Sequence, residues 1–501
     1  MNIKRAKEEI KNTIEAYLLK DGYGAYEIPS VRQRPVLLIG PPGVGKTQIM
    51  EQIARECGIG LVAYTITHHT RQSAIGLPYI LEKKYGGKSY SVTEYTMSEI
   101  VASVYDKIEQ TGLKEGLLFI DEINCVSETL APAMLQFLQC KTFGNHQIPE
   151  GWIIVAAGNP PEYNKSVRDF DVVTLDRIKM IHVEPDLGVW KEYAYEQSIH
   201  PAILSYLNTK PDSFCRIETT VDGKLFATPR GWEDLSRLIE VYEKIDKPVD
   251  REVIGQYIQF PKIAKDFANY LELYYKYQDD YQIEEILSGT IRESLCNRLK
   301  RAPFDEKLSV IGLILSRLNQ GFKEVIRNGE RTELLLGELQ KLKGGEPGIT
   351  GLGALRQEFH KNREHLRESG LLTRQSDYLH RDVEIILERY EKIINEERRT
   401  QELSEDGEWD RIKSMFAEES RAYETSLKET GTMLEFAFDF MEAAFGDSQE
   451  MVVFITELNT GRFSVQFLQE YDCERYFQYN ERLLFQNRED DIKTRIDNLG
   501  R

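Results

Sequence analysis

Between Pro35 and Val183, short apolar runs alternate with stretches whose apolar positions recur at helical spacing. The runs "PVLLIG", "LVAYTI", "LLFI", "WIIVAAG" and "KMIHV" have the length and composition of buried strands. Strands separated by helical stretches predict a parallel sheet with crossover helices, here five-stranded, in an α/β fold. From Pro185 onward the pattern turns helical almost throughout. One helix is announced at "TPRGWEDLSRLIEVYEKI", with Thr228 as N-cap and Pro229 at the first helical position. The opening segment "MNIKRAKEEIKNTIEAYLLK" interleaves charge and apolar residues at helical spacing, predicting a capping or linker helix over residues 3–20; it lacks the apolar core of a signal peptide. The breaker-rich "GGEPGITGLG", Gly344 to Gly353, marks a boundary inside a long all-α C-terminal region. Charged amphipathic stretches follow without a sustained heptad, and "SEDGEWD" interrupts them again. The expected division is 1–185, 186–275 and 276–501.

A chain of 501 residues exceeds what one core organises, which agrees with that division. The net charge of −18 argues against broad binding to nucleic-acid backbones. Acids far outnumber bases between Gln401 and Glu450, which reads as a solvated face or as a docking surface for a basic partner. No run of about 18 apolar residues occurs, so no membrane span is expected. Six widely separated cysteines point to reduced thiols and a cytoplasmic setting.

The chemistry concentrates at strand ends. "VLLIGPPGVGKTQIM" joins a strand to a helix through Gly40, Pro41, Pro42, Gly43, Val44, Gly45, Lys46, Thr47 and Gln48, and fits G-x-x-x-x-G-K-[ST]. Glycines let backbone amides converge on phosphate oxygens, Lys46 supplies a point charge to the β- and γ-phosphates, and the Thr47 hydroxyl reaches Mg²⁺. "LLFIDEIN" ends a buried strand on two acids, Asp121 for Mg²⁺ through water and Glu122 as the base that polarises an attacking water. "WIIVAAGNPPEYN" delivers Asn159 to the same edge, where an amide orients that water and touches the γ-phosphate. GTPases carry D-x-x-G after this strand and the chain does not; the T-K-x-D string at Thr209 to Asp212 follows a helical pattern, so ATP is the expected nucleotide. A metal reading of His68-His69 lacks further ligands at useful spacing. Trp152 and Trp232 read as packing residues.

Together these residues resemble an AAA+ ATPase over about the first 270 positions. Gly40 to Thr47 match its Walker A, "LLFIDE" its Walker B and Asn159 its sensor 1; "ATPRGWEDL" resembles its sensor 2, with Arg230 reaching the γ-phosphate from a helical lid over residues 186–275. "DEIN", "AGNPPEYN", "TLDRI" and "IGLPYILEKKYGGKSYSVTEY" resemble the MoxR-like branch. The last of these predicts a β-hairpin insert at about 76–95, turning at Gly86-Gly87, and "KTFGNHQIP" fits the branch's second hairpin. Arg177 matches the arginine finger that a neighbouring subunit contributes, with Arg168 as the other candidate and Ile178 in place of the usual aromatic. The resemblance implies a ring, hexameric in this family, that binds Mg·ATP between subunits. It further implies a chaperone-like role on a protein partner, often one with a von Willebrand factor A domain. A DNA motor of the same clade and an ATP-gated scaffold in a stress or defence complex are the alternatives.

Overall fold

The computed structural model describes residues 1–66, 74, 76–127, 129–143, 145–163, 172–220, 223–344, 351–400 and 407–483. His68-His69, Arg168 and the centre of the breaker at 345–350 lie outside the described residues. The chain divides into two compact units, residues 1–189 with 361–377 and residues 190–360 with 378–501.

The first unit contains helices α1 (Ile3–Leu18), α2 (Lys46–Cys57), α3 (Glu99–Thr111), α4 (Ala131–Cys140) and α5 (Val172–Leu175). Its strands are β1 (Val36–Ile39), β2 (Gly60–Thr65), β3 (Pro78–Tyr85), β4 (Lys88–Tyr95), β5 (Gly116–Asp121), β6 (Thr142–Phe143), β7 (His146–Gln147), β8 (Trp152–Gly158) and β9 (Lys179–His182). Five of them form one parallel sheet in the order β2-β5-β8-β1-β9. Alternate residues of each strand feed opposite cores, the reason the runs are apolar without a polar phase. Leu37, Leu118, Ile120, Trp152 and Ile154 face one core with α3 and α4. Val36, Leu38, Leu117, Phe119 and Val155 face the other with α1 and α2. The N-terminal helix is therefore a packed layer: Ala6, Ile10 and Ile14 are buried in that second core, and Lys7 and Lys11 reach Glu56 of α2. Ile178 is buried in the first core.

Strands β3 and β4 pair antiparallel from Pro78↔Tyr95 to Tyr85↔Lys88 across Gly86-Gly87. Both glycines have positive φ, which the tight turn requires. Ile80, Tyr85 and Tyr90 of this hairpin are exposed, Ile80 by 76%. Strands β6 and β7 make a second, shorter hairpin.

The second unit is mostly helical: α6 (Leu187–Glu196, which begins in the first unit), α7 (Pro201–Thr209), α8 (Pro229–Lys244), α9 (Arg251–Tyr257), α10 (Pro261–Tyr281), α11 (Ile283–Leu287), α12 (Glu293–Arg301), α13 (Phe304–Gly344), α14 (Leu352–Glu368, which ends in the first unit), α15 (Arg374–Arg399, which begins in the first unit), α16 (Glu408–Phe445), α17 (Gln449–Thr460) and α18 (Arg462–Glu470). Helix α8 starts as its sequence signals: the Thr228 hydroxyl accepts from the Gly231 amide at 3.2 Å, Pro229 follows, and Trp232 is wholly buried. One stretch departs from the expected all-helical reading. Strands β10 (Arg216–Thr220) and β11 (Gly223–Ala227) pair antiparallel in a hairpin. Alternation in "RIETT" and "GKLFA" favours pleated pairing once the two are brought together. The helix α13 has 41 residues and packs along α16, which has 38. The C-terminal part of α13, with Leu335 and Leu339, shares a core with α15 residues Val383, Leu387 and Tyr390. No helix among the described residues is long and apolar enough to cross a membrane.

A buried lysine ties the first unit's entry loop to α4. Lys141 caps α4 at φ 55° and is 4% exposed, with Nζ donating to Gln33 Oε1 at 3.0 Å and Ser30 Oγ at 3.3 Å. Burial pulls its ammonium down from 10.5 to about 8. Between those values the unfolded chain holds a proton that the folded chain releases, so this group makes stability rise with pH across that window. Thermal melts at pH 8 and pH 10 should show Lys141→Met losing, relative to wild type, on the order of 2 kcal/mol of that alkaline gain. A wild-type-minus-variant difference that stays flat with pH would contradict the buried-cation account.

Candidate functional site

The site lies at the C-terminal edge of the parallel sheet, where β1, β5 and β8 end side by side. Gly40 leaves β1 next to β8, its amide 3.4 Å from the Gly158 carbonyl. The loop then turns through Gly43 at φ 81° and Gly45 at φ 89° into α2. Successive right- and left-handed backbone directs consecutive amides inward as an anion nest. The amides of Gly43, Val44 and Gly45 donate to no backbone carbonyl among the described residues. The 12-residue helix α2 begins at Lys46 and adds the positive end of its dipole.

Lys46 is 8% exposed, and its Nζ donates to Gly40 O at 2.7 Å, Pro41 O at 2.8 Å and Asn159 Oδ1 at 2.9 Å. The exposed Thr47 hydroxyl donates to Asp121 Oδ2 at 2.8 Å, while Asp121 Oδ1 accepts from the Glu122 amide at 2.9 Å. Thr47 and Asp121 are hard oxygen donors side by side, the set that suits Mg²⁺. The nest, the helix terminus and the Lys46 ammonium suit a polyphosphate. Glu122 sits in the left-handed region at φ 56°, ψ 35°, where a side chain with a Cβ is strained. Its carboxylate has no hydrogen-bond partner among the described residues, which leaves it free to accept from water. Gln48 is exposed on the first turn of α2.

Asn124 joins this cluster without having been singled out from the sequence. Its Nδ2 donates to Asn159 O at 2.7 Å, fixing the residue that meets Lys46. It is 4% exposed, and its Oδ1 is buried with no partner among the described residues. A Cβ at Gly158 would come within 2.5 Å of that oxygen, so this approach requires glycine. The signal available was the polar residue three places after Asp121 in "DEIN", in a turn otherwise buried by Ile123.

Arg177 stands apart from the cluster. Arg177 precedes β9, and the register pairs Val36 with Lys179 and Ile39 with His182. It therefore lies at the N-terminal edge of the sheet, about 13 Å of strand from the phosphate loop's edge. It is exposed, and its guanidinium donates to Gln139 Oε1 at 2.6 Å, a neutral acceptor. Arg230 is exposed in the first turn of α8, in the second unit.

Residues 35–178 match the family model of the AAA domain, dynein-related subfamily. The first unit thus has the AAA+ P-loop fold. Among solved structures, a candidate ATPase from Cytophaga hutchinsonii is similar at 18% identity over 36% of this chain and 52% of its own, with a TM-score of 0.21. The chain thus covers about half the length of that protein. Two variants of Thermotoga maritima RuvB are similar at 13% and 17% identity, each over 52% of this chain and 69% of theirs, with TM-scores of 0.28 and 0.27. No curated protein matches the chain.

The Asn124–Asn159 bond predicts a defined phenotype. Asn124→Ala and Gly158→Ala should each retain nucleotide affinity and lose roughly 10–100-fold in ATP turnover, the scale of a small misplacement at a reacting centre. Because both act through one contact, the double variant should be no slower than the worse single variant. Steady-state ATPase assays with fluorescent-nucleotide titrations measure both, and multiplicative losses would place the two residues in separate roles.

Proposed function

We propose that this chain is an ATP-hydrolysing ring ATPase of the MoxR type that remodels a protein partner. The observation that chiefly supports it is the meeting of Lys46, Thr47, Asp121 and Asn159 from three strand ends, with Lys46 2.9 Å from Asn159 and Thr47 2.8 Å from Asp121. Each residue then has a role set by its chemistry. The nest from Gly40 to Thr47 receives the phosphates, and Lys46 exchanges its carbonyl acceptors for phosphate oxygens. Thr47 and Asp121 hold Mg²⁺, which when bound neutralises charge on the β- and γ-phosphates. Glu122, with its carboxylate unengaged, accepts the proton of the attacking water, and Asn159 orients that water. Gln48, one residue beyond Thr47, flanks the nucleotide.

Arg177 completes the site of a neighbouring copy. Its place at the sheet edge away from its own phosphate loop, and its neutral partner Gln139, favour action in trans. Such a finger contributes roughly 10³–10⁵ in rate. Arg230 serves as the sensor that couples the γ-phosphate to movement of a lid formed by residues 186–275, and the helices from 276 onward form the accessory region. The exposed Ile80, Tyr85 and Tyr90 on the β3–β4 hairpin supply an apolar grip for a protein partner. A partner with a von Willebrand factor A domain is the choice that the MoxR resemblance suggests. A cytoplasmic setting and a hexameric ring belong to the same proposal.

Glu122→Gln should leave ATP affinity intact and abolish turnover; undiminished turnover would remove Glu122 as the base. Subunits carrying Arg177→Ala, mixed with subunits carrying Glu122→Gln, should regain activity, because one interface type then pairs an intact base with an intact finger. An ATPase rate at background for every mixing ratio would reject Arg177 as the trans residue.

A further inference from the structure

The second unit holds a cavity of about 850 Å³ within itself, between α7, α8, α10, α13 and α17. That volume falls in the range of small-molecule sites. One wall is aliphatic, with Leu308, Ile311 and Leu315 buried along α13. The remainder is rich in charge, and most of that charge is satisfied by the fold. His200 Nδ1 accepts from the Ala202 amide at 3.3 Å, so Nε2 carries the proton and donates to Glu243 at 3.0 Å. Glu243 also accepts from the Tyr275 hydroxyl at 2.9 Å. Glu284 takes Arg317 at 2.7 Å, and Glu457 takes Lys191, the Tyr195 hydroxyl and Asn208.

Three groups remain. Glu240 makes no hydrogen bond or ion pair among the described residues. Among the described residues Lys323 donates only to the Ser198 hydroxyl, at 2.7 Å, and lies 5.8 Å from the Phe463 ring centre. Tyr274 is 3% exposed, lines the cavity, and its hydroxyl has no hydrogen-bond partner among the described residues. All three line this one cavity, where the Tyr274 and His200 rings are 5.9 Å apart. Burial raises the Glu240 carboxyl and lowers the Lys323 ammonium, as expected of charges held partly dry. An acid and an ammonium that line one cavity without bridging to each other offer both ends of a dipolar ligand a partner.

We propose that this cavity binds a small zwitterion of the amino-acid class, its ammonium on Glu240, its carboxylate on Lys323, and an aliphatic side chain against Leu308, Ile311 and Leu315. Tyr274 supplies a further donor inside the cavity. A free amino acid and a dipeptide share this chemistry and differ in how far they fill the space. The site belongs to the second unit and is independent of the nucleotide reading.

Isothermal titration of the full chain with leucine, leucyl-leucine, N-acetylleucine and leucinamide tests it. Saturable binding of leucine or leucyl-leucine is expected, with N-acetylleucine and leucinamide at least about tenfold weaker because each lacks one charge. Leucine binding tighter than leucyl-leucine identifies the free amino acid, and the reverse identifies the peptide. Glu240→Gln should weaken the zwitterion by at least about tenfold while leaving N-acetylleucine unchanged, and Tyr274→Phe should weaken it severalfold. No saturation by either zwitterion up to about 10 mM, or capped analogues binding as tightly as the zwitterions, would overturn the proposal without recourse to any variant.

Discussion

The Lys46 ammonium is the interaction on which the site depends. It is nearly dry, and a nearly dry cation has to be surrounded by oxygens. Two of those oxygens, Gly40 O and Pro41 O, belong to the loop that carries it, and the third, Asn159 Oδ1, belongs to the end of β8. The contact forms only because β1 and β8 are adjacent and parallel, with Ile39 opposite Gly158. Strand order thus decides chemistry: β5 on the other side of β8 brings Asp121 to Thr47, and Asn124 ties the β5 turn back to Asn159. Side chains from three strand ends become one polar network in which moving one member disturbs the others.

The same sheet separates what it does not join. A strand has two ends, and a residue entering β9 stands across the sheet from residues leaving β1. Arg177 is such a residue, exposed and held by an amide side chain rather than a carboxylate. A cation so held exchanges partners at little cost, which suits a group that acts on a neighbouring copy.

What the sequence disclosed follows from which interactions are local. The five core strands were legible because burial on both faces demands unbroken apolar runs, and the phosphate loop was legible because nests need glycine at fixed spacing. The cap of α8 was legible for the same reason, since Thr228 acts on an amide three residues away. The β10–β11 hairpin was missed inside a helical region, where two short alternating runs carry little signal against long amphipathic neighbours. Asn124 was missed because its role exists only through Asn159, 35 positions on in the chain. The cavity of the second unit was illegible for the same reason on a larger scale: Glu240, Tyr274 and Lys323 come from three helices. Only the fold reveals that, among the described residues, two of these charges are left without ion partners while their neighbours are satisfied.

The proposal that Arg177 completes the site of another copy makes activity depend on assembly, and that dependence is the most direct test of the account. Specific ATPase activity per chain, measured across protein concentration alongside sedimentation velocity, should be near background for the monomer and rise in step with the assembled fraction. Full activity per chain in a species that sediments as a monomer would contradict it.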